Sequence, residues 1–225
     1  GLHATRQTPL VAHATLARKQ SNDRAMDRTD PPDTAHGAAL AALLTRHSLG
    51  PRWMVEPGPT AEQLALAVRA ALRAPDHGSL RPWRIAVVAP EQRAALAERF
   101  EAFARAVGKD DTEVAIERER AFNGPLLVAW IARIDATIGE VPMHEQWIAV
   151  GGALAQFLAA LHAMGYGAKA LSGRKCTHPA VARAFCATGE QLVAFVCAGT
   201  PARAPAARSA DDDPGAMIAP WQPAA

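Results

Sequence analysis

The stretch Arg73-Ala74-Pro75-Asp76-His77-Gly78-Ser79-Leu80-Arg81-Pro82-Trp83 decides how this chain folds. Pro75 lacks a backbone donor and pushes the residue before it out of helical geometry, so a helix arriving from upstream must stop near Ala74. Beyond Pro82 the run 85–89 is apolar, short and closed by Pro90, which reads as a buried strand. The loop between them mixes arginine, histidine, serine, two prolines and tryptophan. Prolines fix its course and leave the polar side chains free, a composition that packing alone does not call for.

Working outward, the flanking elements are of unequal kind. Upstream, Ala39, Leu40, Leu43 and Leu44 fall at helical spacing and stop before Gly50-Pro51. Thr60 and Gln63 then form a capping box for a second helix, whose apolar stripe is Leu64, Ala67, Val68, Ala71 and Leu72. Downstream, the pattern predicts helices over 91–107 and 110–122, a second buried strand over 126–132, and a long apolar helix over 145–164 broken by Gly165-Tyr166-Gly167. A short strand over 167–171, a helix near 179–185 and a strand over 192–198 follow. This order lacks the regular βα alternation of a doubly wound fold. It predicts an α+β fold with a central sheet of four or five strands covered by helices. Residues 1–34 have no sustained periodicity and read as a disordered or non-native extension, with Met26 a candidate start; 35–205 form the domain, and 206–225 an irregular tail rich in Pro, Ala and Asp.

Composition narrows the function classes. The 225 residues carry 24 Lys+Arg against 22 Asp+Glu, a net charge of +2, so no single-sign field argues for nucleic acid or an anionic membrane. The basic residues divide into 20 Arg and 4 Lys, a skew expected of a GC-rich genome, so an isolated arginine is discounted as a signal. Cys176, Cys186 and Cys197 are odd in number and lack C-x-x-C spacing, which speaks against a disulfide framework or zinc site and for a reducing, cytoplasmic compartment. No uninterrupted run of about 18 apolar residues suggests a membrane span.

No phosphate loop, dinucleotide fingerprint, nucleophile elbow or zincin helix occurs, and no Cys/His pair has metal-ligand spacing. Chemistry-bearing residues concentrate in three places. Arg46-His47-Ser48 sits at a helix end, either as donors converging on a phosphate or as a basic terminus favoured by the helix dipole. The loop 73–83 is the second. The third runs from Gly165-Tyr166-Gly167 to Ser172-Gly173, where glycines admit either a ligand or an ordinary turn and edge strand. The 145–164 helix, with small residues Gly151, Gly152, Ala153, Ala159 and Ala160, suits close approach of a second copy or burial within the subunit.

These motifs, taken in order with Glu56-Pro57-x-Pro59, Pro125-Leu126-Leu127, Glu145-Gln146 and Gly199-Thr200-Pro201, resemble the flavin-dependent nitroreductase family, in its compact branch with the A-P-D-H loop. The resemblance covers residues 36–205. It implies a homodimer with FMN at the subunit interface, and transfer of a hydride from NADH or NADPH through flavin N5 to nitroaromatics, quinones or similar small-molecule acceptors in a ping-pong cycle. Dehalogenation, or a flavin-binding sensor or storage protein without turnover, are the alternatives on the same fold. By the resemblance, Arg46, His47 and Ser48 contact the FMN phosphate, ribityl chain or ring edge. Arg73 and His77 reach the flavin of the other subunit, and the backbone at Ala170, Leu171, Ser172 and Gly173 lines the ring near N5. The family usually has a second arginine where His47 stands. For the basic residue that helps hold the phosphate beyond the last strand, Arg208 is the first candidate and Arg203 the second. FMN would carry the redox chemistry, so no protein nucleophile or catalytic acid is required.

Overall fold

The computed structural model describes residues 34–203 and 213–223. In chain order the helices are α1 (Thr34–Thr45), α2 (Ala61–Ala71), α3 (Arg93–Ala106), α4 (Asp111–Glu119), α5 (Met143–Ala163), α6 (Arg174–Thr177) and α7 (Pro179–Ala182). The strands are β1 (Met54–Val55), β2 (Trp83–Val87), β3 (Leu126–Arg133), β4 (Gly167–Leu171) and β5 (Glu190–Pro201). They form one five-stranded antiparallel sheet in the order β1-β5-β3-β2, with β4 also paired to β5. The α+β expectation holds. Expectations for residues 1–33 and for Arg208 fall outside the described residues.

Each face of the sheet is covered, which is why β3 is apolar along its length instead of alternating. Leu127, Ala129 and Ile131 face Leu96 and Phe100 of α3, whereas Val128, Trp130 and Ala132 face α2 and α5. Trp130 anchors the second layer: it stacks on Trp83 at 4.8 Å and meets Phe157 of α5 at 5.4 Å. Burying three such rings supplies several kcal/mol, on the order of 2 to 3 each.

Buried polar groups tie the connections down. Arg93 donates to the carbonyls of Val88, Ala121 and Pro125 at 2.9 to 3.2 Å, pinning the approach to β3 with a cation that burial pushes toward its neutral form. Gln146 of α5 donates to the Asp135 and Val141 carbonyls and accepts from the Asp135 N–H, replacing the backbone partners that this loop lacks. Thr60 and Gln63 exchange the predicted capping bonds at the start of α2.

Several boundaries differ from the expectation, β5 running over Glu190–Pro201 instead of 192–198 and α7 ending at Ala182 instead of 185, and two more differ for plain physical reasons. β2 begins at Trp83 because the Pro82 carbonyl already accepts from the Arg133 N–H. α5 begins at Met143, where Pro142 ends the preceding loop, and it closes on Gly165 at φ 89 with Tyr166 N–H donating back to Leu161. By length and mean hydropathy alone α5 is apolar enough to cross a membrane, which qualifies the sequence expectation; about a third of that span is buried against the sheet.

Candidate functional site

Downstream of α1 the chain does not turn away from the sheet. Ser48 bridges Ala168 in parallel, and the Leu49 N–H donates to the Ala168 carbonyl at 3.2 Å, so residues 46–49 run beside β4. Gly167 permits this approach, since a Cβ there would stand 2.3 Å from Leu49 Cδ2. Two sequence clusters far apart in the chain therefore lie side by side.

Along β4 the side chains alternate. Lys169 and Leu171 face a cavity of about 1090 Å³, while Ala168 and Ala170 face α5. At its end the Ser172 hydroxyl donates to the Val193 carbonyl at 2.8 Å. Gly173 then adopts φ 130, ψ −171, with no atom within 4 Å of where a Cβ would sit. Only glycine tolerates this backbone readily, and its open side leaves the peptide accessible to a ligand.

The remaining walls come from residues 50–53, the end of α3, α4 with the turn after it, Arg174 and Lys175 of α6, and Arg203 beyond β5. Lysine and arginine side chains surround the cavity, against one lining carboxylate, that of Glu117. Its Oε1 meets Lys109 Nζ at 2.8 Å and also Arg120, and its Oε2 meets Lys175 Nζ at 3.1 Å. Burial alone would raise the Glu117 carboxyl, but Lys109 and Lys175 outweigh it and hold the group below the usual carboxylate range. Burial pushes the Lys175 ammonium down, although Glu117 opposes the shift. Lys175 also sits over the Phe100 ring at 3.7 Å.

Of the residues singled out from sequence, His47, Ser48, Leu171, Ser172, Gly173 and Arg203 line this cavity together. Arg46 does not line it and lies instead near His162 of α5: burial first, then the charges of His47 and Arg46, push the His162 imidazole down, and His162 Nε2 is hydrogen-bonded to Thr45 Oγ1 at 3.0 Å. Ala170 does not line the cavity, because its side chain packs on the α5 side of the sheet. Arg73 and His77 do not line this cavity. Their loop packs against α5, where His77 Nδ1 pairs with Glu145 Oε2 at 2.7 Å. Within it Gly78, Ser79 and Arg81 all take positive φ, held by Asp76 accepting from the Leu80 and Arg81 N–H groups. A left-handed serine and arginine so close together store strain of the kind that clusters at functional loops.

Sequence reasoning missed Glu117, Lys109, Arg120, Lys169, Lys175 and Trp53. One signal was available: in a chain with 20 arginines and 4 lysines, Lys109, Lys169 and Lys175 line a single cavity.

The nitroreductase family model matches residues 43–200. "Putative NAD(P)H nitroreductase YdjA" of Escherichia coli (strain K12) is 35% identical over 164 residues, covering 72% of this chain and 88% of that protein. "Putative NAD(P)H nitroreductase" of Haemophilus influenzae is 32% identical over 163 residues, with the same coverage, 72% and 88%. Among solved structures, a nitroreductase-like family protein from Bacillus cereus superposes with a TM-score of 0.69 at 17% identity, covering 82% of this chain and 96% of that one. A nitroreductase with bound FMN from Desulfitobacterium hafniense gives 0.58 at 17% identity, covering 82% and 98%. The fold, the order of its motifs and the extent of these matches agree: the chain belongs to the nitroreductase family.

Proposed function

We propose that this chain is an FMN-dependent oxidoreductase, taking electrons from NADH or NADPH and passing them to nitroaromatics, quinones or similar small acceptors. The observation that carries the reading is the cavity itself, in which the open Gly173 turn at the end of β4 lies beside the Ser48 segment and under a largely cationic wall. The donor set fits the cofactor: hydroxyl and cationic groups for a phosphate, a strand edge with an unobstructed peptide for a planar ring, and the volume to hold both. FMN, when bound, supplies the redox chemistry of the reaction.

The protein's part is binding and orientation. Arg46, His47 and Ser48 hold the phosphate and ribityl end, with Arg203 or Arg208 completing the grip. The backbone of 170–173 orients the ring near N5. Arg73 and His77 serve the site of the partner subunit, in keeping with their place on the α5 side of the sheet. A homodimer is supported by apolar side chains facing outward, among them Leu44 at 71% exposure and Ile148 at 63%. Three free cysteines, two of them buried, suit a reducing, cytoplasmic compartment.

The visible spectrum of the purified protein tests this reading. Flavin absorbance that bleaches on adding NADH or NADPH is expected. A colourless protein that takes up no FMN overturns it, and bound FMN with no oxidation of either nucleotide points instead to a sensor or storage role.

A further inference from the structure

Positive charge in the cavity exceeds what one flavin phosphate would meet, and it is unevenly placed. Lys109 and Arg120 of the α3–α4 wall and Lys175 of α6 share the one carboxylate of Glu117, and Arg174 of α6 adds a further cation. Glu117 and Lys175 are 4% and 18% exposed, so the inner part of the cluster is held where water solvates it poorly, while Arg120 and Arg174 stand on its solvent side, where an incoming anion would meet them. Arg120 keeps about half of its side chain exposed and so has donors to spare.

Resting on the flavin reading above, we propose that Lys109, Arg120 and Arg174 form a second anion site, which takes the carboxylate of a small aromatic acceptor. Residues 46–48 face the phosphate in that reading and 171–173 the ring. Lys175 follows Gly173 by two positions, so the cationic wall adjoins the ring, where the acceptor must lie to receive electrons. The 2′-phosphate of NADPH is separated from its nicotinamide by two riboses and a pyrophosphate, too great a reach for a wall beside the ring. An aromatic ring carrying a carboxylate places its charge within one side chain's length.

Equilibrium dialysis of the protein as isolated, with flavin content measured in parallel, tests the site. Benzoate is the charged probe, benzamide its neutral counterpart and 2′-AMP the nucleotide phosphate. Benzoate is expected to bind at least about tenfold more tightly than benzamide, and Arg120→Gln or Arg174→Gln to weaken benzoate by about tenfold while leaving benzamide unchanged, the size of one charge-assisted hydrogen bond. Both side chains are substantially exposed, so neither change threatens the fold. Equal binding of benzoate and benzamide by a yellow protein overturns the anion site and leaves the flavin reading standing. So does an Arg120 dependence seen for 2′-AMP and not for benzoate. A colourless protein that still prefers benzoate in an Arg120-dependent way retains the anion site and overturns the flavin reading.

Discussion

The Arg203 guanidinium lies over the Trp53 ring, 4.0 Å from its centroid, and the Ala202 N–H donates to the Trp53 carbonyl at 2.8 Å. Stacking and the backbone bond together set Arg203 at the cavity rim with its edge donors unpaired among the described residues, the geometry in which a guanidinium recognises phosphate. Arg203→Ala should therefore weaken FMN retention by about 1.5 to 3 kcal/mol, and Trp53→Ala by about 1 kcal/mol through loss of the stacked platform. Flavin fluorescence on dilution measures both. Loss of FMN from Arg208→Ala with full retention by Arg203→Ala would assign the phosphate to the tail and leave the Trp53 contact a packing feature.

Arg46 and Arg73 answer to different subunits in the proposed dimer, and a mixed dimer separates them. Arg46→Ala and Arg73→Ala should each lower FMN affinity by about 1.5 to 3 kcal/mol. In a heterodimer of wild-type and doubly substituted chains, Arg46 and Arg73 are both lost from one site only if they act in the same subunit. If they act across the interface, each of the two sites loses one arginine. Titration of FMN then gives two equal weakened sites for the cross-subunit arrangement, and one intact plus one severely weakened site for the alternative.

Acid stability turns on a different pair. Arg84 Nε and Nη2 donate to the two Glu190 oxygens at 2.7 and 2.6 Å, tying the start of β5 to β2, and this holds the Glu190 carboxyl down at about 2 against an ordinary 4.5. A depressed carboxylate contributes stability that is fully present above the unfolded value and lost as pH falls through the folded one. Part of the pair meets solvent, so the contribution is on the order of 2 kcal/mol at neutral pH. Denaturant unfolding of wild type and Glu190→Gln should differ by that amount at neutral pH and converge between about pH 4.5 and 2. A constant gap across that window would mean that the pair acts through packing instead of charge.

Elements with strong periodicity or hard stops were legible in the chain: the Thr60 capping box, the run of β3 and the Gly165 stop each depend on residues a few positions apart. β1 was not, because its two residues carry no pattern of their own and become a strand only by pairing with Thr200 and Pro201, far along the chain. The cavity divides in the same way. His47, Ser48 and Gly173 belong to local motifs, whereas Glu117 sits in an alternating charge run that reads as a solvated helix face. Its burial depends on Lys109, eight residues away, and Lys175, 58 residues away. Whether a charged side chain is buried is a tertiary fact, and no spacing within α4 announces it.

The outward stripe of α5 carries the last prediction. His144, Trp147, Ile148, Gly151 and Ala155 are all exposed, one face of the helix at intervals of three and four residues, while Ala149, Val150, Ala153 and Phe157 pack inward. In the proposed dimer this stripe would meet its own copy across a two-fold axis, with Gly151 letting the backbones come close. Ile148→Glu would then bury two like charges near each other, at a cost of about 3 to 5 kcal/mol to association. A monomer that has also lost FMN is expected from gel filtration with absorbance detection. Ile148 does not line the cavity, so flavin would leave only because the partner's contribution had gone. A dimer that stays yellow with glutamate at 148 places the interface elsewhere, and a yellow monomer makes each subunit's site complete on its own, which would remove Arg73 and His77 from it.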